Sequence, residues 1–513
     1  MENLYKSLNY KPTELAFGTS GLRGLVADIT DLETYINTRG FIEFMISEQQ
    51  LAPGTEIYFA GDLRSSTPRI LRSVYQAIVD SGFKAIFGGF VPTPAISYHA
   101  LVKNAPSIMV TGSHIPDDRN GIKFNKLGGE VLKEDETAIK QAVANVRTQQ
   151  YEQPIDKSAF NTDGGFKAQP SLPEIDPTTA EIYIQRYKDA FSNSPLTGKK
   201  IIFYEHSAVG RDMIPVILQS LGAIVESVDR SERFIPIDTE NVTPDNQAYF
   251  KKLAAEHSDA FAIVSTDGDS DRPFVIDENG IFHRGDELGA VVAKWLGVDF
   301  AALPISSSDA VDKFLTTNNI PWEHTRIGSP YVISAMASHD VKCAVGWEVN
   351  GGFLLGSDIN TPNGYLKALP TRDAVLPIIV SLISAVDSNQ SLSSLFKSLP
   401  ERYTQAGIID NFPIENSRAI VNLLSGDETT SRQNISRFFN KSNGFDDVAS
   451  INTLDGTRIF FDNGDVVHIR PSGNAPQLRV YSVSSTQQRA DEIVALAIAE
   501  PNGILRTIEK SLN

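Results

Sequence analysis

Three carboxylates stand within five residues in the segment Asp267-Gly268-Asp269-Ser270-Asp271. Adjacent anions repel one another unless a cation lies between them, and oxygen ligands suit a hard divalent ion such as Mg²⁺. Gly268 lets the loop curl so that the carboxylates can converge. The pattern predicts a metal site formed by Asp267, Asp269 and Asp271.

An EF-hand is a competing interpretation of this loop, since Glu278 falls at the twelfth position counted from Asp267. However, Arg272 occupies the sixth position, where an EF-hand needs glycine. The following Phe274-Val275-Ile276 is typical of a strand rather than a helix. We therefore reject the EF-hand, and a solvated acidic turn that binds no ion is the remaining alternative.

A serine lies beside a histidine in Thr111-Gly112-Ser113-His114-Ile115-Pro116, just after a short apolar run. Its hydroxyl could act as a nucleophile or a phosphate carrier. The Gly-x-Ser-x-Gly elbow of many hydrolases is missing, which weakens the case for a hydrolase triad. Taken alone, a capping serine in an ordinary turn explains the segment equally well. Lys123 follows in a strand-like stretch, where a lone lysine is usually a surface residue.

Two further loops could bind phosphate. Arg470-Pro471-Ser472-Gly473-Asn474 ends a strand, and Arg479 follows it, so guanidinium groups, a hydroxyl and backbone amides could surround an anion. A β-turn with incidental arginines is the alternative. The glycine-rich loop Phe17–Gly24 carries Arg23 but is a weak signal by itself. Asp455-Gly456-Thr457 is similar to part of a phosphatase motif, but its required first aspartate is replaced by Thr453, so we discount it.

Composition bounds the class of protein. With 46 basic and 63 acidic residues the net charge is −17, which disfavours binding to nucleic acid or to an anionic membrane surface. Hydrophobic residues make up 41% of the chain, which excludes disorder for its bulk. At about 150 residues per domain, 513 residues correspond to three or four domains.

The cysteine count and the apolar runs bear on location. Cys343 is the single cysteine, which excludes a disulfide framework and a cysteine-based zinc site. The N-terminus lacks the pattern of a signal peptide. The longest apolar stretch, between Asp373 and Asp387, is too short to span a bilayer and contains Pro377. We expect a soluble, cytoplasmic protein.

The elements that must position these loops recur in a fixed order. A strand, a helix at helical apolar spacing and a second strand occur three times, beginning near residues 56, 200 and 302. Each copy is followed by one more strand that leads into a polar loop, at 111–114, 267–272 and 346–352. Alternating strands and helices predict α/β domains with mixed, largely parallel sheets, and ligands bind at loops beyond the strand ends. We expect the three loops to converge on one cleft.

The C-terminal part differs from this pattern. Asn463-Gly464 is a strong hairpin signal, and a further strand and a helix over about 487–499 follow, as in a small α+β domain. Residues 151–178 are interpreted as a linker or surface loop, and residues 426–447 as a loop excursion. The predicted domains are 1–150 with the serine loop, 179–285 with the acidic loop, 286–400 with the third polar loop, and 401–513 with the arginine-rich loop.

Taken together and in this order, the motifs resemble the α-D-phosphohexomutase family, across nearly the whole chain. The family pattern has a Thr-Ser-Gly-x-Arg-Gly loop, a phosphoserine loop, an Asp-Gly-Asp-x-Asp-Arg metal loop, a sugar loop and a C-terminal phosphate loop. These match residues 19–24, 111–116, 267–272, 346–351 and 470–473. The sugar loop has Asn350 where serine is usual and Trp347 before its glutamate, and Asn474-Ala475 replaces Thr-Glu. These departures bear on sugar preference more than on reaction type.

The resemblance implies three related α/β domains plus a smaller fourth, around a central cleft. It implies a reversible 1,6-phosphoryl shift on a hexose phosphate, for which mannose phosphate is favoured over glucose and glucosamine phosphates. Ser113 would carry the phosphoryl group, and hexose 1,6-bisphosphate would be both intermediate and activator. One Mg²⁺ would be held by Ser113, Asp267, Asp269 and Asp271. A metal-dependent sugar phosphatase and a sugar-phosphate-binding pseudoenzyme are the alternatives from other classes.

The resemblance also implies roles for further residues. Lys123, His114 and Arg23 are candidates for proton transfer, with Lys123 favoured, and Arg64 and Arg272 are candidate supports of the phosphoserine. The expected partner is a small hexose phosphate, with no nucleic acid or membrane, and the protein is expected to be a monomer or a homodimer. The candidate substrate-binding residues are Thr19, Ser20, Arg272, Thr325, Gly328, Ser329, Glu348, Asn350, Arg470, Ser472, Gly473, Asn474 and Arg479.

Overall fold

The computed structural model describes residues 2–18, 21–49, 51–240, 242–472 and 476–512. The chain divides into two compact units. The larger unit comprises Met1–Ala301 and Gly328–Phe396, and the smaller comprises Ala302–Ile327 and Lys397–Asn513. In the described ranges, no helix is both long and apolar enough to cross a membrane.

Strands and helices alternate along most of the chain. The strands are β1 Ala16–Gly18, β2 Gly21–Leu25, β3 Glu56–Gly61, β4 Lys84–Phe90, β5 Ser107–Val110, β6 Arg119–Lys126, β7 Gly129–Glu130, β8 Lys200–His206, β9 Ile224–Arg230, β10 Ala262–Thr266, β11 Pro273–Ile276, β12 Phe282–His283, β13 Phe300–Pro304, β14 Trp322–Thr325, β15 Ala344–Trp347, β16 Phe353–Leu355, β17 Ile359–Thr361, β18 Gly364–Leu366, β19 Leu369–Asp373, β20 Tyr403–Ile409, β21 Val448–Asn452, β22 Thr457–Phe461, β23 Val466–Pro471 and β24 Leu478–Ser484. The helices are α1 Leu4–Ser7, α2 Asp31–Glu48, α3 Thr67–Asp80, α4 Thr93–Val102, α5 Glu136–Glu152, α6 Thr178–Ala190, α7 Ile214–Ser220, α8 Pro244–Glu256, α9 Gly285–Leu296, α10 Asp309–Thr317, α11 Ser329–Ser338, α12 Val375–Asp387, α13 Leu392–Phe396, α14 Ile414–Leu424, α15 Glu428–Phe438, α16 Gln487–Ile498 and α17 Ile504–Leu512.

The first sheet of the larger unit has the order β1-β2-β6-β5-β3-β4, with β7 paired to β6. Its β3 runs parallel to β4 and β5, whereas β6 runs antiparallel to β5 and β2. The helix predicted in the first strand–helix–strand copy, which begins near residue 56, is confirmed as α3. Pro68 lies in its first turn, where proline costs no hydrogen bond, and its apolar face from Ile70 to Ile78 is buried.

The second sheet has the order β12-β11-β10-β8-β9, in which β8 is parallel to β9 and β10, and β10 is antiparallel to β11. Farther along the larger unit, β15, β16 and β19 pair antiparallel. In each region the polar loop of interest joins a strand to its antiparallel neighbour, between β5 and β6, β10 and β11, and β15 and β16. The fold therefore presents the three loops in equivalent positions.

The smaller unit is built on the antiparallel order β20-β24-β23-β22-β21, with α14 to α17 contributing to one core. The predicted hairpin joins β22 to β23, and Gly464 adopts φ +83° in its turn, where glycine has no Cβ penalty. The loop predicted over 426–447 is wrong over α15. Its N-cap Asp427 accepts from the Thr430 amide, and Ile435 is buried in the core.

Candidate active site

Ser113 lies at the start of the loop between β5 and β6, with its side chain buried. Its φ of 55° is in the left-handed region, which is sparsely populated by residues other than glycine. The Ser113 amide donates to Thr111 Oγ1 at 2.8 Å, and Ser113 Oγ donates to Asp267 Oδ2 at 2.6 Å. The loop thus holds the hydroxyl in one direction, against the acidic loop.

Arg64 supports this loop through its backbone. The guanidinium donates to the carbonyl oxygens of Ser113 (2.9 Å), Ile115 (2.5 Å), Pro116 (2.7 Å) and Arg119 (3.1 Å). Arg64 also pairs with the buried Asp62 at 3.2 Å. Gly112 is required nearby, because a Cβ there would lie 2.6 Å from Arg64 Cζ. Arg64 therefore fixes the path of the chain around Ser113.

The three aspartates of the acidic loop are buried, and one carboxylate oxygen of each lies within 4.8 Å of the others. Among the residues that the structure describes, the Oδ1 atoms of Asp269 and Asp271 are buried without a hydrogen-bond partner. Buried carboxylate oxygens are normally satisfied, and convergent unsatisfied ones are the donor set that a hard divalent cation needs. The residues present therefore fit a metal ion.

The remaining oxygens of this cluster are held by the protein. Lys123 Nζ donates to Asp269 Oδ2 at 2.6 Å and to Asp271 Oδ2 at 2.5 Å. Thr93 Oγ1 also donates to Asp269 Oδ2, at 2.6 Å. For Asp269 and Asp271, these contacts engage one oxygen and leave the other for a ligand.

The charges around the cluster separate the pKa values of its carboxylates. Burial, together with the charges of Asp269 and Asp271, raises the pKa of Asp267 well above its usual range. Burial alone would also raise the pKa of Asp269, but Lys123 holds it well below that range. For Asp271, the charges of Arg372 and Lys123 likewise outweigh burial and lower the pKa. A cation that joins the cluster would relieve the repulsion felt by Asp267.

His114 and Arg23 differ in charge. His114 Nδ1 lies 3.4 Å from Ser113 Oγ, and burial, with the charges of Arg272 and Arg23, holds the pKa of His114 well below its usual range. Its imidazole is therefore uncharged at neutral pH. Arg23 is solvent-accessible, yet the surrounding protein atoms and the like charges of Arg272 and Arg372 lower its pKa to about 10. Arg23 remains charged at neutral pH.

The loop between β15 and β16 places Glu348 in a buried position, where its Oε2 accepts from Arg372 Nη1 at 3.1 Å. Asn350 holds the loop together, since its Oδ1 accepts from the Gly352 amide (2.9 Å) and its Nδ2 donates to Glu240 (3.3 Å). Trp347 is fully buried, and its Nε1 donates to the Asp286 carbonyl at 3.1 Å. Trp347 is thus a core residue, while Glu348 belongs to the charged cluster.

Two other residues predicted to bind the substrate, Ser329 and Arg272, contact carboxylates within the larger unit. Ser329 is buried, and its Oγ donates to Glu130 Oε2 at 2.7 Å. Arg272 Nε lies 3.9 Å from Asp267 and 3.8 Å from Asp271, at the outer limit of an ion pair. Gly328 precedes α11 with φ +129°.

In the smaller unit, Asp455 organises the residues proposed to bind phosphate. Its Oδ2 lies 3.0 Å from Arg470 Nε and accepts from the Ile327 amide at 3.0 Å. Arg470 on β23 is directly opposite Arg479 on β24, so two guanidinium groups stand on adjacent strands. Thr325 is the last residue of β14, two positions before Ile327, and its hydroxyl donates to the Arg326 carbonyl. Ser472 is held by its amide, which donates to the Gln477 carbonyl at 2.9 Å.

Four predicted site residues lie outside the described ranges: Thr19, Ser20, Gly473 and Asn474. Conversely, sequence reasoning missed residues whose hydrogen-bond partners are distant in the chain: Asp62, Thr93, Glu130 and Arg372. Asp455, discounted above as part of a phosphatase motif, was not expected to pair with Arg470. The pair Thr93-Pro94 is typical of a helix start, but nothing in the local sequence indicates that Thr93 bonds to Asp269. No local pattern points to Arg372.

Comparison with known families gives matches along most of the chain. Residues 14–150, 181–280 and 284–403 match the α/β/α domains I, II and III described as phosphoglucomutase/phosphomannomutase. Residues 430–500 match the C-terminal domain of the same description. These matches agree with three α/β domains and a distinct C-terminal domain.

Individual relatives span the same length. A phosphomannomutase of Salmonella muenchen is 38% identical over 508 residues, covering 97% of this chain and 98% of the relative. A solved phosphoglucomutase/phosphomannomutase family protein of Burkholderia thailandensis has a TM-score of 0.70 at 17% identity, covering 96% of this chain and 99% of that one. An Aspergillus fumigatus N-acetylphosphoglucosamine mutase, solved with GlcNAc-6P and magnesium, has a TM-score of 0.58 at 12% identity, covering 99% and 98%. The two solved structures share the fold.

Proposed function

Because the chain belongs to the phosphoglucomutase/phosphomannomutase family and is accordingly a phosphohexomutase, we propose that it interconverts mannose 1-phosphate and mannose 6-phosphate. The observation that carries the mechanism is Ser113 Oγ, held 2.6 Å from the buried aspartate cluster. The choice of mannose is supported by the 38% identical relative named phosphomannomutase.

The reaction uses Ser113 as a phosphoryl carrier. In the first half, the bond from phosphorus to Ser113 Oγ breaks as phosphorus bonds to the free sugar hydroxyl, which gives a hexose 1,6-bisphosphate. In the second half, the bisphosphate presents its other phosphate, whose phosphoryl group returns to Ser113. Hexose 1,6-bisphosphate supplied from solution would phosphorylate a resting Ser113 and so act as activator.

The acidic loop is proposed to hold the cation that offsets the negative charge of the transferred phosphoryl group. Asp267, Asp269 and Asp271, with an oxygen of phosphorylated Ser113, would hold one Mg²⁺, which when bound offsets the negative charge of the transferred group. Arg64 keeps the Ser113 loop in place through its four carbonyl contacts. The protein thus supplies a preset geometry for the transfer.

Each half-reaction must also move a proton. The uncharged imidazole of His114 has its Nδ1 near Ser113 Oγ, and we propose that it accepts the proton of the attacking hydroxyl. Lys123 is engaged in two ion pairs with the aspartates. We therefore assign proton acceptance to His114 and charge compensation to Lys123, although the resemblance favoured Lys123 for the proton. Because the pKa of His114 lies well below neutral, His114→Gln is expected to lower kcat by a similar factor at every pH around neutrality, and Lys123→Met is expected to keep the shape of the pH–rate profile.

The substrate is recognised at two kinds of group. Glu348 and Asn350, from the loop after β15, are proposed to bind ring hydroxyls, with Thr19, Ser20 and Arg272 as further contacts. In the smaller unit, Arg470, Ser472 and Arg479 are proposed to bind a phosphate, with Thr325, Gly473 and Asn474. Two guanidinium groups on adjacent strands support this assignment.

The test is a coupled mutase assay with Mg²⁺ and a trace of hexose 1,6-bisphosphate. Mannose 1-phosphate, glucose 1-phosphate and glucosamine 1-phosphate are compared, with both 6-phosphate product and free phosphate followed. We expect isomerised product with the highest kcat/KM for mannose 1-phosphate. Ser113→Ala should abolish turnover, whereas Ser65→Ala, which removes an exposed hydroxyl, should not. Release of free phosphate without product would instead indicate a phosphatase.

A further inference from the structure

Arg372 joins two loops that the sequence treats as separate. Its Nε donates to Asp271 Oδ2 at 3.1 Å, and its Nη1 donates to Glu348 Oε2 at 3.1 Å. The side chain is buried, as are both carboxylates. One guanidinium therefore bridges the acidic loop after β10 and the Glu348 loop after β15.

The surrounding chain is shaped for this side chain. A Cβ on Gly352 would lie 2.6 Å from both Cγ and Cδ of Arg372, so glycine leaves the room that the aliphatic stem occupies. The neighbours of Arg372 on β19 are also tied down. Thr371 donates to Glu130 at 2.7 Å, and Asp373 accepts from the buried Tyr183 at 2.7 Å. The direction of Arg372 is thus set by its strand before any ligand binds.

The contact with Asp271 selects one oxygen. Asp271 Oδ2 is engaged by Arg372 and by Lys123, whereas Asp271 Oδ1 is buried and has no hydrogen-bond partner within the described ranges. Rotation of this carboxylate would break both charge-assisted bonds, which are the strong class of hydrogen bond. Arg372 therefore helps to decide which oxygen faces the metal site.

We propose that Arg372 is a positioning residue that couples metal binding to recognition of the hexose ring, by holding Asp271 and Glu348 in one rigid arrangement. The sugar half of this inference rests on the proposed function, in which Glu348 binds ring hydroxyls. The metal half rests on the Asp271 geometry alone.

Substitution of Arg372 by lysine distinguishes the effect of its positive charge from the effect of its bridge between two carboxylates. A guanidinium fork can engage two carboxylates with different nitrogens, whereas an ammonium is a point charge. Arg372→Lys keeps the positive charge but loses the bridge, and Arg372→Gln loses both. Because coupling between two ligands is reciprocal, it can be measured from either one.

The experiment uses calorimetric titration of the full-length, dephosphorylated protein. The Mg²⁺ affinity is measured first, and then the affinity for mannose 1-phosphate with and without Mg²⁺. Inorganic phosphate is titrated in parallel, because it reports direct attraction between phosphate and metal without a sugar ring. The control pair is Arg147→Lys and Arg147→Gln, which alter an arginine paired with Glu33.

We expect Mg²⁺ to tighten mannose 1-phosphate binding by about tenfold more than it tightens phosphate binding. That excess should fall to near onefold in Arg372→Lys, and Arg372→Gln should also weaken Mg²⁺ binding by about tenfold. The Arg147 variants should leave both quantities at wild-type values. If Arg372→Gln does not fold, Arg372→Lys decides the coupling.

Wild-type coupling in a folded Arg372→Lys protein would overturn the proposal, as would wild-type Mg²⁺ affinity in Arg372→Gln. If the wild-type protein binds no hexose phosphate, the proposed function fails instead. The Mg²⁺ affinity of Arg372→Gln then decides whether Arg372 positions the metal ligand.

Discussion

Replacing Thr93 by valine tests whether the Thr93 hydroxyl holds Asp269 of the acidic loop in position for a metal ion. Thr93 begins α4, and its hydroxyl donates to Asp269 Oδ2 at 2.6 Å in a buried environment. Its amide also donates to the Asp269 carbonyl oxygen at 2.9 Å. Valine keeps the shape of threonine and the amide contact, so the substitution removes one hydrogen bond to a carboxylate and little else.

The size of the effect follows from that bond. A hydrogen bond to a charged group contributes about 1.5–3 kcal/mol, which corresponds to roughly 10- to 150-fold in an equilibrium constant. Lys123 still engages the same oxygen, at 2.6 Å, so we expect the lower end. Thr93→Val should weaken Mg²⁺ binding by about tenfold and lower kcat at limiting Mg²⁺ by a similar factor.

The assay is Mg²⁺ titration by calorimetry, followed by mutase kinetics across Mg²⁺ concentrations. Thr93→Ser, which restores the hydroxyl, should recover most of the affinity. Ser97→Ala removes a hydroxyl one turn along the same helix and should change neither quantity. Wild-type Mg²⁺ affinity in Thr93→Val, or no recovery in Thr93→Ser, would show that the Thr93 hydroxyl does not support the metal site.

Three other predictions follow from the contacts described. Asp267→Asn and Asp269→Asn should each lower kcat about a hundredfold or more. Because Asp269→Asn breaks a buried ion pair, it alone should lower the unfolding free energy of the metal-free protein, by up to about 3 kcal/mol in urea unfolding. Asp455→Asn should raise the KM for mannose 1-phosphate about tenfold with a smaller change in kcat, because Arg470, which is proposed to bind phosphate, loses its ion pair. An unchanged KM would contradict this. Burial lowers the pKa of His206 and of His468 to about 4, so both imidazoles are uncharged in the folded state while the unfolded chain takes up protons below about pH 6.5. Stability should therefore be complete above pH 6.5 and fall as the pH approaches 4, by about 2 kcal/mol per histidine at pH 5, and a flat unfolding free energy over that range would count against it.

The sequence was sufficient where chemistry depends on residues close together in the chain. The three aspartates share five positions, and the strand before them is buried, so their convergence was predictable. The order of strands and helices likewise predicted the α/β sheets and the C-terminal hairpin, since periodicity and turn residues are local signals.

Contacts between distant residues were not predictable in this way. Asp269 is 176 positions from Thr93, and Asp271 is 101 positions from Arg372. The partner of each is set by how sheets pack, for which one sequence has no local pattern. The same holds for Ser329, whose bond to Glu130 joins residues 199 positions apart. The bounds of the four predicted domains stay a prediction.

The proposed reaction depends on Ser113 as the carrier of the phosphoryl group. The most direct measurement is a single-turnover experiment with protein labelled by ³²P-phosphate from labelled hexose bisphosphate, then mixed with unlabelled mannose 1-phosphate and Mg²⁺. If Ser113 is the carrier, the label maps to the peptide containing Ser113, passes into mannose 1,6-bisphosphate and reappears in mannose 6-phosphate. Label on another residue, or label released only as inorganic phosphate, would contradict it.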